Sequence, residues 1–85
     1  MKTIEKYQLG WPAQEQITMP RGAQLLTVGM RDGLPCLWAL VETDQPDERR
    51  QFIIYTTEQA LPSWPKAYVG TIYSIENVLH VFEVT

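Results

Sequence analysis

The sequence predicts an all-β or β-rich domain of about seven short antiparallel strands, closed into a small barrel or sandwich. Three observations lead there. Asp32-Gly33 sits between two apolar, β-prone runs, and Asp-Gly favours the type I′ turn of a two-residue hairpin because both positions need φ > 0. Six prolines and five glycines are spread over 85 residues, which suits many short elements joined by turns. The remaining apolar residues recur with the period of strands, and no segment shows a sustained helical period.

Thr3 to Leu9 alternates and reads as a strand with mixed faces, ended by Gly10-Trp11-Pro12. Trp11 precedes a proline and is therefore held extended. Gln14 to Met19 is a short second strand, with Ile17 and Met19 on one face. The turn Pro20-Arg21-Gly22-Ala23 follows. Gln24 to Arg31 is the third strand; strict alternation places Leu26, Val28 and Met30 on one face and Thr27 and Arg31 on the other. Leu34 to Val41 is the fourth, apolar on both faces, so it is expected to be central and covered on both sides, with Trp38 and Leu40 largely buried. The two-residue turn pairs Arg31 with Leu34, Gly29 with Cys36, Val28 with Leu37 and Thr27 with Trp38. Gly29 then leaves space for the Trp38 indole or marks a bulge.

Glu42 to Arg50 reads as a polar loop of mixed charge. Gln51 to Thr57 is the fifth strand, with Phe52 and Ile54 opposed to Ile53 and Tyr55. Glu58 to Ala67 is a proline-bounded loop with room for one helical turn after Thr57. Tyr68 to Tyr73 and Val78 to Val84 form a last hairpin across Ser74-Ile75-Glu76-Asn77.

A chain of this length is one domain, 1–85, and buries only roughly 60% of its unfolded surface. Its 45% apolar and 11% aromatic content is ample for a core. The net charge of −3 and pI near 4.9 argue against binding of duplex nucleic acid, which needs clustered Lys and Arg. They leave room for a small anion held by local arginines, or for docking on a basic protein. Cys36 is the single cysteine, so neither an internal disulfide nor a Cys-rich zinc site is available. The first nine residues lack a continuous apolar core, no run approaches ~18 apolar residues, and a soluble cytoplasmic protein without a membrane segment is expected.

Chemistry-bearing residues are sparse. Cys36 lies mid-strand among apolar neighbours and reads as a small hydrophobe rather than a nucleophile paired with His80 across the core. His80 reads as a core-edge histidine bonded to a carbonyl or a tyrosine; one His, one Cys and scattered carboxylates do not make a metal shell. Asp44, Asp47 and Glu48 read as solvated loop carboxylates. No Gly-rich phosphate loop or cofactor motif is present, so no catalytic residue, metal or cofactor is expected. The best candidates for an anion site are Arg49 and Arg50 beside Tyr55, with Arg21 and Arg31 at turns able to contribute, because the guanidinium fork fits phosphate or carboxylate and aromatics stack on bases. Against this stands the simpler reading of solvated arginines balancing Asp47 and Glu48. Trp11 and Trp64 lie in proline-bounded loops, where they either plug a barrel end or serve as partner contacts.

The stretches Met19-Pro20-Arg21-Gly22-Ala23, Pro35-Cys36-Leu37-Trp38-Ala39-Leu40-Val41, Ile54-Tyr55-Thr56-Thr57, Tyr68-Val69-Gly70-Thr71 and His80-Val81-Phe82-Glu83 carry a resemblance. In that order they cover most of the chain, which resembles a family of small uncharacterised proteins from tailed phages and prophages. Members of that family tend to have a Tyr-Gly-Thr-Gly-like segment after the fifth strand; here it is Tyr55-Thr56-Thr57-Glu58. The resemblance implies a phage accessory protein and brings no catalytic residues with it.

Together these features lead to the expectation of a non-catalytic phage protein that binds a host protein and blunts a host defence or redirects a host activity. A sequestering protein for a small nucleotide signal is the alternative, and a minor virion or assembly component a further one. The doubly apolar fourth strand leads to the expectation of a homodimer, in which a second copy covers what one small sheet cannot.

The hairpin reading has a direct consequence. Gly33→Val forces a β-branched residue towards φ > 0 and is expected to cost about 1–2 kcal/mol. An unchanged melting temperature would refute the turn.

Overall fold

Two positive φ angles in succession, 53° at Asp32 and 77° at Gly33, close the hairpin that organises the chain. The computed structural model describes residues 1–11, 15–61 and 66–84, apart from the side chains of Glu15 and Lys66. It has seven strands: β1 Lys2–Gln8, β2 Glu15–Pro20, β3 Gln24–Arg31, β4 Leu34–Glu42, β5 Asp47–Thr56, β6 Lys66–Tyr73 and β7 Val78–Val84. All pairings are antiparallel. A three-stranded sheet A has the order β1-β4-β3, and a four-stranded sheet B the order β2-β5-β7-β6. They pack as a small sandwich, not a closed barrel. Among the described residues there is no helix; Thr57 and Glu58 form a turn after β5.

The β3–β4 register is the one the turn dictates: Arg31 with Leu34, Gly29 with Cys36, Val28 with Leu37 and Thr27 with Trp38. It puts Leu37, Ala39 and Val41 on the core side of β4, where they are essentially inaccessible to water. From sheet B, Ile17, Met19, Phe52, Ile54, Ile72, Leu79 and Val81 meet them, and Leu9 and Ala23 complete the cluster. Each of the larger side chains, Val, Leu, Ile, Phe or Met, contributes roughly 1.5–3 kcal/mol of burial, and the two alanines less. The indole of Trp38 lies beside Gly29, where a Cβ would stand 3.6 Å from it, so Gly29 does leave room for the ring.

Three expectations are corrected. Strict alternation fails in β3, because a bulge between Leu25 and Thr27 inserts an extra residue. Leu25 and Val28 therefore both pack on the core, while Leu26 turns out to water; Met30 keeps the face of Val28, at the edge of the core. Trp38 and Leu40 are half-buried, since nothing in the described chain covers the outer face of sheet A. Asp47 to Arg50 is not loop: β5 starts at Asp47 and pairs with β2 from Pro20↔Asp47 to Glu15↔Phe52. Only residues 43–46 remain as the connection, tightened by Gln45 N–H donating to the Glu42 carbonyl. Charged residues make this strand because β2 needs a ladder partner and backbone pairing is indifferent to their side chains.

A second bulge, between Tyr68 and Gly70 in β6, turns Val69 towards the core. It also brings Gly70 against β3. A Cβ at Gly70 would lie 2.7 Å from Val28 Cγ2, and valine is stiff about χ1, so the contact has no easy relief. Gly70→Ala is expected to destabilise the fold by about 1–3 kcal/mol through overpacking, whereas Val28→Ala in the same background restores part of the loss. Urea unfolding of the three variants measures both effects.

Candidate functional site

The two ends of the sandwich differ. At the end where β5 begins and β7 finishes, Arg50 and Glu83 project on the core side and pair. Arg50 Nε donates to Glu83 Oε2 at 2.6 Å and Nη2 to Oε1 at 2.8 Å; Nη1 donates to the Ala23 carbonyl at 2.7 Å. Both side chains are mostly buried. The pairing with Glu83 raises the Arg50 guanidinium above its ordinary value, with burial opposing it. All three nitrogens of the fork are thus used inside the fold, and this end is sealed by charge-assisted hydrogen bonds.

The opposite end is open. There the β3–β4 hairpin tip, the β6–β7 turn and the segment after β1 surround a cleft of about 560 Å³. Its walls include Trp11, Met30, Pro35, Tyr73, Ile75 and Leu79. Trp11 is 40% exposed, Tyr73 largely exposed and Ile75 wholly so. The β6–β7 turn is stapled. Ser74 N–H and the Ser74 hydroxyl both donate to the Asn77 carbonyl, and Asn77 N–H donates back to Ser74 Oγ. The staple holds Ile75 outward at the tip, where turns ordinarily carry polar residues. Glu76 is the one charged residue among the described lining.

The residues singled out from sequence do not assemble into one site. Arg49 and Arg50 are neighbours in β5 and so point to opposite faces; Arg49 is exposed, and Arg50 is consumed by Glu83. Tyr55 lies on the outer face of sheet B, edge-to-face with Phe82, and is buried. Arg21 is exposed in the β2–β3 turn, with its backbone N–H on the Pro46 carbonyl. Arg31 is exposed at the hairpin, 3.9 Å from Asp32. Trp11 lines the open cleft and Trp64 falls outside the described residues. Met30, Tyr73 and Ile75 were not singled out, although an isoleucine between Ser and Glu in a turn is the signal that could have found the last of them.

His80 and Cys36 do not meet. Cys36 is buried on the outer face of sheet A and His80 sits on the outer face of sheet B, with the core between them. The imidazole is bonded to threonines rather than to a carbonyl or tyrosine: Nε2 to Thr57 Oγ1 at 2.8 Å and Nδ1 to Thr71 Oγ1 at 3.3 Å. Among the described residues no group of three or more His, Cys, Asp or Glu side chains could hold a metal ion. Nor is any helix among them long and apolar enough to cross a membrane.

One family profile matches residues 1–85. The chain belongs to that family, described as Domain of unknown function (DUF7352). No curated protein and no solved structure matches it. The profile spans both ends of the sandwich, so the cleft and the Arg50–Glu83 pair both lie within the DUF7352 domain.

The ion pair yields a sharp contrast between neighbouring arginines. Glu83→Ala strands a mostly buried guanidinium and is expected to cost about 1–3 kcal/mol. Arg49→Ala, an exposed change, should stay within about 0.5 kcal/mol. Chemical denaturation of both variants gives the comparison.

Proposed function

We propose that the chain is a small phage-encoded, non-catalytic binding protein that docks its open end on a host protein, as a host-defence inhibitor or host-takeover factor does. The observation that carries the reading is Ile75, held fully exposed on a hydrogen-bonded turn beside an apolar cleft walled by Trp11 and Tyr73. Exposed apolar groups that adjoin one another mark interaction surfaces, and aromatic anchors dominate the energetics of such surfaces. Rigid presentation lowers the ordering entropy that association costs. Glu76 at the rim and the net charge of −3 suit a basic patch on the partner. The phage context rests on the resemblance carried by Pro35 to Val41 and His80 to Glu83. Sequestration of a small nucleotide is the weaker reading, because the fork of Arg50 is already filled and no Lys or Arg is among the described residues of the cleft.

A homodimer belongs to the same proposal. On the outer face of sheet A, Ile4 is 60% and Leu26 44% exposed, next to half-buried Trp38 and Leu40. Ile4 is paired directly with Leu40. This strip is suited to a two-fold seam away from the open end.

Affinity capture from host-cell extract tests the docking surface. The wild-type chain is expected to retain one host protein, with Ile75→Asp or Trp11→Ala weakening retention at least about tenfold. Light scattering on the same samples should give a dimer that Leu26→Asp dissociates. Thermal stabilisation by nucleotides, with no protein retained, would replace docking by sequestration.

A further inference from the structure

We infer that the open cleft takes the side chain of an arginine or lysine from the docked partner, with the alkyl stem on the apolar floor and the charge at the mouth beside Glu76. The inference rests on the docking proposed above and names what the partner inserts there.

The cleft is graded from floor to mouth. Pro35 and Leu79 are buried and form the floor, with Met30 beside them. Tyr73, Ile75 and Glu76 are exposed at the mouth, on the end of β6 and the turn after it. The volume of about 560 Å³ falls within the roughly 300–1,000 Å³ of sites that enclose small organic groups. The floor alone would accept any apolar side chain; the mouth narrows the choice.

Glu76 is the one charged residue among the described lining, and it makes no ion pair with any described residue. Arg31, in the neighbouring hairpin, is not part of the lining and lies 3.9 Å from Asp32. Ser74 and Asn77 bond to each other across the turn, so the turn carrying Glu76 is fixed while its carboxylate stays unneutralised. Tyr73 and Trp11 add aromatic rings, whose faces attract cations. Arginine and lysine lay a long alkyl stem on apolar surface and keep the charged head in water. Such a side chain matches floor and mouth together, and its head stays hydrated, so the cost of burying a charge is avoided. An acidic anchor would meet the Glu76 carboxylate, and an apolar anchor would use the floor only. The net charge of −3 favours approach of a basic surface at longer range.

Amide chemical-shift titration of the full chain tests the inference with n-butylguanidinium and n-butylammonium against pentan-1-ol and pentanoate, which keep a similar stem and change the head. Saturable shifts at Met30, Tyr73, Ile75, Glu76 and Leu79 are expected with both cations, at least about fivefold tighter than with the alcohol or the carboxylate. Glu76→Gln, a near-isosteric change at an exposed position, should remove most of that preference. Equal affinity for cation and alcohol overturns the inference, as does the absence of any shift or a preference unchanged by Glu76→Gln. In affinity capture from host-cell extract, Glu76→Lys should weaken retention as Ile75→Asp does. Retention lost with Ile75→Asp but unchanged with Glu76→Lys keeps the docking and overturns the cationic anchor. Cation-selective shifts with no host protein retained overturn the docking, and with it the partner's side chain, and assign the cleft to a free organic cation.

Discussion

Leu37, Ala39 and Val41 face inward together, and everything else in the structure depends on their doing so. Side chains in a strand alternate, so a slip of one residue in β4 would send this trio to water and bring Cys36, Trp38 and Leu40 into the core. The Asp32-Gly33 turn prevents the slip by fixing which residues of β3 face which residues of β4. With β4 set, β1 adds along its other edge, and sheet B packs Phe52, Ile54, Leu79 and Val81 against the exposed faces of the trio. A core this small has little redundancy, and an 85-residue chain stays folded by keeping it intact.

The same architecture divides the two ends of the sandwich by chemistry. Where β5 starts and β7 ends, the core runs out and a guanidinium–carboxylate pair closes the gap, backed by the Ala23 carbonyl. A charge placed so deep is tolerable only because every arm of the fork has an acceptor. Where β3 turns into β4 and β6 into β7, no comparable plug exists among the described residues, and apolar side chains border an open cleft. Sealing one end while leaving the other apolar and accessible is what directs the functional reading to Trp11, Tyr73 and Ile75 and away from the arginines.

Sheet edges and outer faces show a related division. The exposed β1 edge carries Lys2, Glu5 and Lys6, charges of the kind that discourage strands from pairing with strangers. The outer face of sheet A is instead partly apolar, around Ile4, Leu26 and Trp38. The outer face of sheet B carries aromatic rings and a threonine–histidine–threonine chain, and the buried Tyr55 phenol there has no hydrogen-bond partner among the described residues. Each surface has its own chemistry even though the sandwich is only two layers thick.

The sequence by itself determined the strand number, the antiparallel class, the central hairpin and its register, because period-two patterning and turn chemistry act over a few residues. It also placed Cys36 inside, but left Trp11 open between a buried plug and an exposed contact; in the fold it is 40% exposed at the cleft. It could not choose barrel or sandwich, since that rests on which strand edges meet after folding. Nor could it see the bulge at Leu26, which reverses the faces of half of β3, or the need for glycine at residue 70, which exists only because β3 lies against β6. Arg50 is the plainest case. In sequence it is one of two adjacent arginines in a charged stretch; in the fold a neighbour 33 residues away takes its fork. Long-range pairing, not local composition, decided which charged side chain is free and where the apolar surface is left open.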